Sequence, residues 1–280
     1  MARLAITLVT CCLAIQTCFG DTAAGVLGEG KLWETPYFVI ESQVPGPTVI
    51  VTGGIHGNEP AGAASAELIR KWPIVRGRMI VIPRVNPLAL TANTRYIPQA
   101  ARTLRDLNRN FPEQNGDEPR GEIAREVWEF VVSQNPDWLF DLHEGYEFNV
   151  SHQPPQGKAK SVGSSIIFDK NQGHQIMTQR MLAAVNGMVS DADRRFVLLT
   201  RGPKKTTLAS ATIRVLGRNA MILETTFKKQ PLQLRTRQHR EMMAVALAHL
   251  GMIDVAAIRN RIRVSLTKDD KQLTPAALTP

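Results

Sequence analysis

Cysteine is nearly missing from this chain: Cys11, Cys12 and Cys18 are its three examples, and all of them precede Asp21. They lie in a segment that reads as a secretory signal peptide over 1–20, with Met1-Ala2-Arg3, the apolar run Leu4 to Ile15, and small residues before a cut after Gly20. A lipoprotein reading with Cys18 as the modified residue fits less well, because Gln16 and Thr17 stand where small apolar residues are wanted. The mature chain is then expected to begin near Asp21 without a thiol, which excludes disulfides and leaves the core to supply stability. No second apolar run is long enough to span a bilayer, so no membrane span is expected. Aromatic residues make up 6% and do not interleave with the basic ones, which argues against a nucleic-acid module in spite of a formal charge of +9. The positive excess fits acidic small substrates or an anionic envelope polymer, or else a plain solvated face. An exported bacterial protein, periplasmic or secreted, is the expectation.

What is present is enough for one large core. A chain of 280 residues, 43% apolar, requires no more than one catalytic domain, expected over 21–262 and followed by a flexible tail over 263–280. There is no internal repeat. Strands are predicted at Tyr37 to Glu41, Pro47 to Thr52, Met79 to Val85, Asp137 to His143, Ser164 to Phe168, Phe196 to Leu199 and Asn219 to Glu224. Between them, helices are predicted from Pro60 to about Trp72, and over Glu122 to Ser133, Gln175 to Val189 and Thr206 to Leu216, with a last one over Arg235 to Leu250. The alternation predicts a single α/β domain with a mixed, mainly parallel sheet and helices on both faces. Asn86 to Asn115, rich in Asn, Arg and Pro, reads as a functional loop.

Chemistry concentrates where strands end. Gly53-Gly54-Ile55-His56-Gly57-Asn58-Glu59-Pro60 puts a histidine in a loop and a glutamate at a helix entry, so the two can converge on one ion. A first-turn Glu is also what helix capping and the macrodipole favour. His143 closes one apolar strand and Glu224 another, the edge at which open α/β sheets gather ligands. Two histidines and a carboxylate form the ligand set of a catalytic zinc site, with Glu224 left over as a base. Taken singly, His143 is equally readable as a satisfied edge histidine and Glu224 as a surface carboxylate.

Read with the segment Arg105-Asp106-Leu107-Asn108-Arg109-Asn110-Phe111-Pro112, these elements change that balance. The order HxxE, Asn-Pro, Thr-Arg-Tyr, Asp-Leu-Asn-Arg, Asp-Leu-His and Leu-Glu-Thr, from about Thr48 to about Leu250, resembles the zinc carboxypeptidase superfamily. The nearest branch is that of succinylglutamate desuccinylase and aspartoacylase. The resemblance implies one zinc per chain held by His56, Glu59 and His143, with Glu224 as general base. It further implies Asn108 and Arg109 as holders of a free carboxylate on the substrate, Arg95 as the group steadying the oxyanion, and Asp106 as the carboxylate orienting the first histidine. The loop between Arg95 and Asn108 is longer than in the aspartoacylases and holds Arg102 and Arg105, either of which could replace Arg95. After Glu224 the chain reads as helix and tail, so the carboxy-terminal β domain that covers the site in aspartoacylase-type enzymes is expected to be absent.

The expected reaction is hydrolysis of an amide beside a free carboxylate, on a small acyl amino acid or a peptide. A peptidoglycan-peptide amidase or carboxypeptidase is the rival within enzymes, favoured by export and an uncovered site. A zinc-dependent binding protein without turnover is the rival outside them. Oligomeric state is not legible in the sequence.

Overall fold

A computed structural model describes residues 24–259. The predicted leader over 1–20 and tail over 263–280 lie outside the described residues. Eight strands form one sheet: β1 (Gly25–Leu27), β2 (Thr35–Glu41), β3 (Thr48–Gly53), β4 (Arg78–Ile82), β5 (Trp138–Gly145), β6 (Ser165–Ile167), β7 (Val197–Leu199) and β8 (Asn219–Thr226). Their order across it is β1-β2-β4-β3-β5-β8-β6-β7.

Helices α1 (Pro60–Ile69), α2 (Pro87–Thr91), α3 (Glu122–Gln134), α4 (Gln175–Asn186), α5 (Leu208–Arg214) and α6 (Leu232–His249) complete the fold. β1 and α2, both short, lie where the sequence predicted no element.

The sheet is parallel through its centre, where β4, β3, β5 and β8 run together. β2 pairs antiparallel with both β1 and β4, and β6 pairs antiparallel with β8 while running parallel to β7. The sheet is therefore mixed, as expected, but the expectation that it is mainly parallel is corrected. A parallel neighbour needs a crossover of roughly a dozen residues or more, usually a helix. The 42–47 connection carries the chain from β2 past β4 to β3, and the 146–164 connection carries it from β5 past β8 to β6, and neither holds a helix.

The central strands alternate across the sheet with period two. Val49, Val51, Met79, Val81, Trp138, Phe140, Met221 and Leu223 join α1, α4 and α6 in one buried cluster. Ile50, Ile80, Ile82, Leu139, Ala220 and Ile222 face the other way, into α3 and α5. Each face is thus sealed by helices, and at roughly 25 cal/mol per Å² of buried apolar surface these two layers are the main source of stability. Because β3, β5 and β8 are parallel, their carboxyl ends emerge together, carrying the His56 turn, His143 and Glu224 to one edge.

Candidate metal centre and its cleft

The turn after β3 is held so tightly that its glycines have no substitute. Gly54 has φ of 70°, in the left-handed region that side chains disfavour, and a Cβ built at Gly57 would lie 1.8 Å from the Ala89 carbonyl oxygen. Asn86 anchors the turn from outside. Its amide nitrogen donates to the Ile55 carbonyl (3.2 Å), and its Oδ1 accepts from the Ala89 N–H (3.1 Å) at the start of α2. The loop expected over Asn86 to Asn115 is therefore functional in a structural sense first, since its α2 supports the histidine turn.

His56, Glu59 and His143 are buried, and each offers a ligand atom within 4.8 Å of the others. The Nδ1 atoms of both rings lie 2.8 Å from the Glu59 carboxylate, on Oε1 for His56 and Oε2 for His143. The far nitrogens are tied to carboxylates: His56 Nε2 to Asp106 Oδ1 (3.2 Å) and His143 Nε2 to Asp141 Oδ2 (2.8 Å). Asp141 also accepts from the Thr52 hydroxyl (2.8 Å), so it is fixed before the ring meets it. A carboxylate behind each histidine is what sets its tautomer and aims its other nitrogen at a metal.

Electrostatics favour a cation here. Burial on its own would raise the Glu59 pKa, yet the adjacent His56 and His143 hold it well below the usual carboxylate range. Burial would lower that of His143, but Asp141 and Glu59 outweigh burial and push it well above an ordinary histidine. Asp106, in spite of burial, is kept below its usual value by His56 and Arg95. The field that favours a proton on His143 also favours a divalent ion beside it, so donor set and field both fit zinc.

His143 and Glu224 are direct partners in the β5–β8 register. Glu224 is buried, and its Oε2 has no hydrogen-bond partner among the described residues. Burial is the main reason its pKa rises to about 8, with Glu59 adding to the rise while His143 and Arg95 oppose it. Arg95 donates to Glu59 Oε1 (3.0 Å) and Asp106 Oδ2 (3.3 Å) and lines the same cleft. Of the two alternatives, Arg105 instead lies over the Tyr96 ring at 4.2 Å, and Arg102 is exposed away from the cleft lining.

Asn108 and Arg109 also line this cleft, whose volume is about 520 Å³. Asn108 is more committed than its sequence suggested. Its Oδ1 accepts from the Leu208 N–H (2.9 Å), and its Nδ2 lies 3.1 Å from His143 Nε2, whose proton Asp141 already claims. That leaves the amide N–H groups as the part of Asn108 free to donate. Arg109 is half-buried, and desolvation lowers its pKa against the pull of Asp106.

Two buried carboxylates here were given no role by sequence reasoning. Asp141 stands two residues before His143 on one strand, hence on the same face, and that spacing could have marked it. Glu144 accepts from the Ala61 N–H (2.7 Å) at the start of α1 and from Arg235 of α6, while its own N–H donates to Glu59 Oε2 (3.1 Å). Arg235, ninety-odd residues away, supplies the charge that pairs with the buried Glu144 carboxylate.

Residues 45–153 match the sequence model of the succinylglutamate desuccinylase/aspartoacylase catalytic domain. Over 106 residues the chain is 34% identical to N-alpha-acetyl-L-2,4-diaminobutyric acid deacetylase of Halomonas elongata, covering 36% of this chain and 29% of that protein. Among solved structures, the mDAP-bound form of Helicobacter pylori Csd4, a D,L-carboxypeptidase, superposes with a TM-score of 0.60 at 20% identity, over 74% of this chain and 52% of that one. Succinylglutamate desuccinylase/aspartoacylase from Rhodobacter sphaeroides gives 0.51 at 24% identity, over 79% and 60%. The chain thus spans less than two thirds of the length of each of these relatives, and at such identities the structures speak for the fold alone. The family that the order of the motifs resembles is thus also the one whose catalytic-domain model residues 45–153 match, that of succinylglutamate desuccinylase and aspartoacylase.

Proposed function

We infer that this protein is a zinc-dependent hydrolase that cleaves an amide bond next to a free carboxylate. The observation that carries this reading is the convergence, in one cleft, of three buried donor residues with a fourth buried carboxylate that has an unpartnered oxygen. His56, Glu59 and His143 would hold one zinc per chain. Zinc so held supplies Lewis-acid polarisation of a carbonyl and acidification of a water. Glu224, its pKa near neutrality, takes a proton from the attacking water and returns it to the leaving nitrogen. Arg95 stands on the Glu59 side of the cleft, where its guanidinium can meet the developing oxyanion. Arg109 grips the substrate carboxylate with its planar fork, assisted by an Asn108 N–H.

The family match and the deacetylase relative support a deacylase of acyl amino acids. A peptide substrate, including a peptidoglycan peptide, is the second reading. A cleft of about 520 Å³ leaves room beyond the gripped carboxylate, and Csd4 has been solved with a tripeptide bound. We further propose that the chain is exported and acts in the periplasm or outside the cell. No helix among the described residues is long and apolar enough to cross a membrane.

Product formation from acyl amino acids and from muropeptides, measured before and after chelation and zinc restoration, tests the hydrolase reading. Turnover should vanish with the metal and return with it; zinc binding with no product from either class would leave a binding protein instead. Arg109→Lys should raise KM by roughly 10-fold or more with little effect on kcat, because the ammonium keeps the charge and loses the fork. If a carboxy-terminally amidated substrate reacts as well as the free acid in the unmutated protein, carboxylate recognition by Arg109 fails.

A further inference from the structure

Helix α6 buries polar side chains in its first turns where its second half buries apolar ones. Met242, Met243, Ala246 and Leu247 enter the core, while Arg235, Gln238 and His239, three and four residues apart and so on one side of the helix, are buried as well. Polar groups persist in a core where they are hydrogen-bonded, and the partners of these three lie at the end of one strand pair. Arg235 meets Glu144 of β5. Gln238 Nε2 donates to Gln230 Oε1 (3.1 Å), and the Gln230 amide donates in turn to the Thr226 carbonyl (2.6 Å), where β8 ends. His239 Nε2 lies 3.2 Å from Thr225 Oγ1. The Thr225 hydroxyl has a single hydrogen and gives it to Glu144 Oε1 (3.4 Å), so it accepts from His239. The polar half of α6 thus closes on residues 144, 225 and 226, which follow His143 and Glu224 on strands paired in register.

Glu224 and Thr225 are consecutive in a strand and point to opposite faces. Thr225 faces α6, and Glu224 faces the cleft. On the cleft side Glu224 Oε2 has no hydrogen-bond partner among the described residues, so that oxygen is not aimed from the front. Strand pairing is also weaker there than further back. The ladder between β8 and β6 stops at Glu224, opposite Ser165, and beyond it β8 pairs with β5 alone. On the open side the strand end is held by side chains: the Ser164 hydroxyl on Thr226 Oγ1 (2.9 Å), and the contacts from α6. The direction in which Glu224 leaves the backbone is therefore set from behind the sheet.

We propose that Thr225 and His239 are positioning residues for Glu224: the hydrogen bond from α6 to the Thr225 hydroxyl braces the end of β8 and keeps the Glu224 carboxylate in its place beside the metal centre. This rests on the reading of Glu224 as the base. Neither Thr225 nor His239 lines the cleft, so both act through the strand and touch no substrate. A brace of this kind bears on rate, since a misplacement of about 1 Å at a reacting group can cost roughly 100-fold.

The test compares Thr225→Val, Thr225→Ser and His239→Phe for hydrolysis, zinc content and thermal unfolding, with crystal structures of the two Thr225 variants. Thr225→Val keeps the shape of the side chain and removes the hydroxyl, so kcat should fall by about 10-fold to 100-fold with KM and zinc content unchanged. Thr225→Ser removes a buried methyl group and keeps the hydroxyl, so it should lower the melting temperature and leave kcat as it was. A role in folding alone would instead make kcat follow the melting temperature. His239→Phe should slow turnover as Thr225→Val does, and the two together should add little, because both remove the same bond. Where His239→Phe does not fold, the Thr225 pair still decides. In the crystals the Glu224 carboxylate should be displaced by about 1 Å in Thr225→Val and unmoved in Thr225→Ser. A Thr225→Val protein with unchanged kcat, with zinc lost, or with the Glu224 carboxylate unmoved overturns the brace, and so does a Thr225→Ser protein as slow as Thr225→Val. The displacement keeps the two readings apart: if it occurs in a chain whose unmutated form hydrolyses nothing, the brace stands and the hydrolase falls, whereas hydrolysis that survives Thr225→Val removes the brace alone.

Discussion

Glu224→Gln is expected to retain its zinc and to lose turnover by roughly 10²-fold to 10⁴-fold, the usual contribution of a positioned base. The side chain sits across the strand register from His143 but is not among the three residues whose donor atoms cluster. The amide keeps the shape of the carboxylate and removes its ability to accept a proton, so binding and chemistry should separate. His143→Ala, by contrast, should lose metal and turnover together, because it deletes a donor. Zinc content and turnover measured on both purified variants decide the matter; a Glu224→Gln protein that is metal-free, or fully active, contradicts the assignment. The pH profile adds an independent check. A base must be deprotonated to act, so activity should climb with pH along an acid limb. Its midpoint should fall below the value of about 8 that burial imposes on Glu224, since a divalent cation beside it adds to His143 and Arg95 in favouring the carboxylate. In Glu224→Gln the residual activity should lack that limb.

The site was legible because its residues sit at local landmarks. His56 and Glu59 flank a glycine-bounded turn, His143 and Glu224 end apolar strands, and in parallel strands all such ends must meet at one edge. Arg95, Asp106 and Asn108 were legible only through the order of motifs, since nothing in the 86–115 composition says which of its polar residues turn inward. The sheet edges were missed for a different reason. A three-residue strand such as β1 leaves too few residues for a period-two pattern to stand out from a loop, and the direction of β6 depends on its partner β8, far along the chain. Buried charge was equally hidden: Glu144 reads as a solvated residue beside a histidine until α6 is seen to bring Arg235 against it. The same limit applies to the cleft mouth, where Lys204 and Lys205 are adjacent and chemically alike, yet only Lys204 lines the cleft.

Arg235→Met is expected to destabilise the protein far more than a surface arginine would, by about 3–5 kcal/mol, the cost of leaving one member of a buried ion pair alone. Glu144 is fully enclosed, and burial already raises its pKa, with Arg235 the largest opposing influence. Without the guanidinium, the carboxyl must either stay ionised in an apolar setting or take up a proton, and both lower stability near neutral pH. The midpoint of thermal unfolding should fall by about 10 °C, taking roughly 2–4 °C per kcal/mol for a domain of this size. The loss should reach the metal centre as well. Glu144 receives the Ala61 N–H at the start of α1 and gives its own N–H to Glu59, so it clamps the turn that carries one ligand to the strand that carries another. Zinc affinity, measured by chelator competition, should therefore weaken by about 10-fold to 100-fold, the range found when groups supporting metal ligands are removed. Glu144→Met alone should also destabilise, through the lost acceptor for Ala61. The two substitutions together should cost clearly less than the sum of the separate costs, because the double variant contains no unpaired charge. Simple additivity in that cycle, or an Arg235→Met protein with unchanged melting temperature and zinc affinity, would show that the pair does not organise the metal centre.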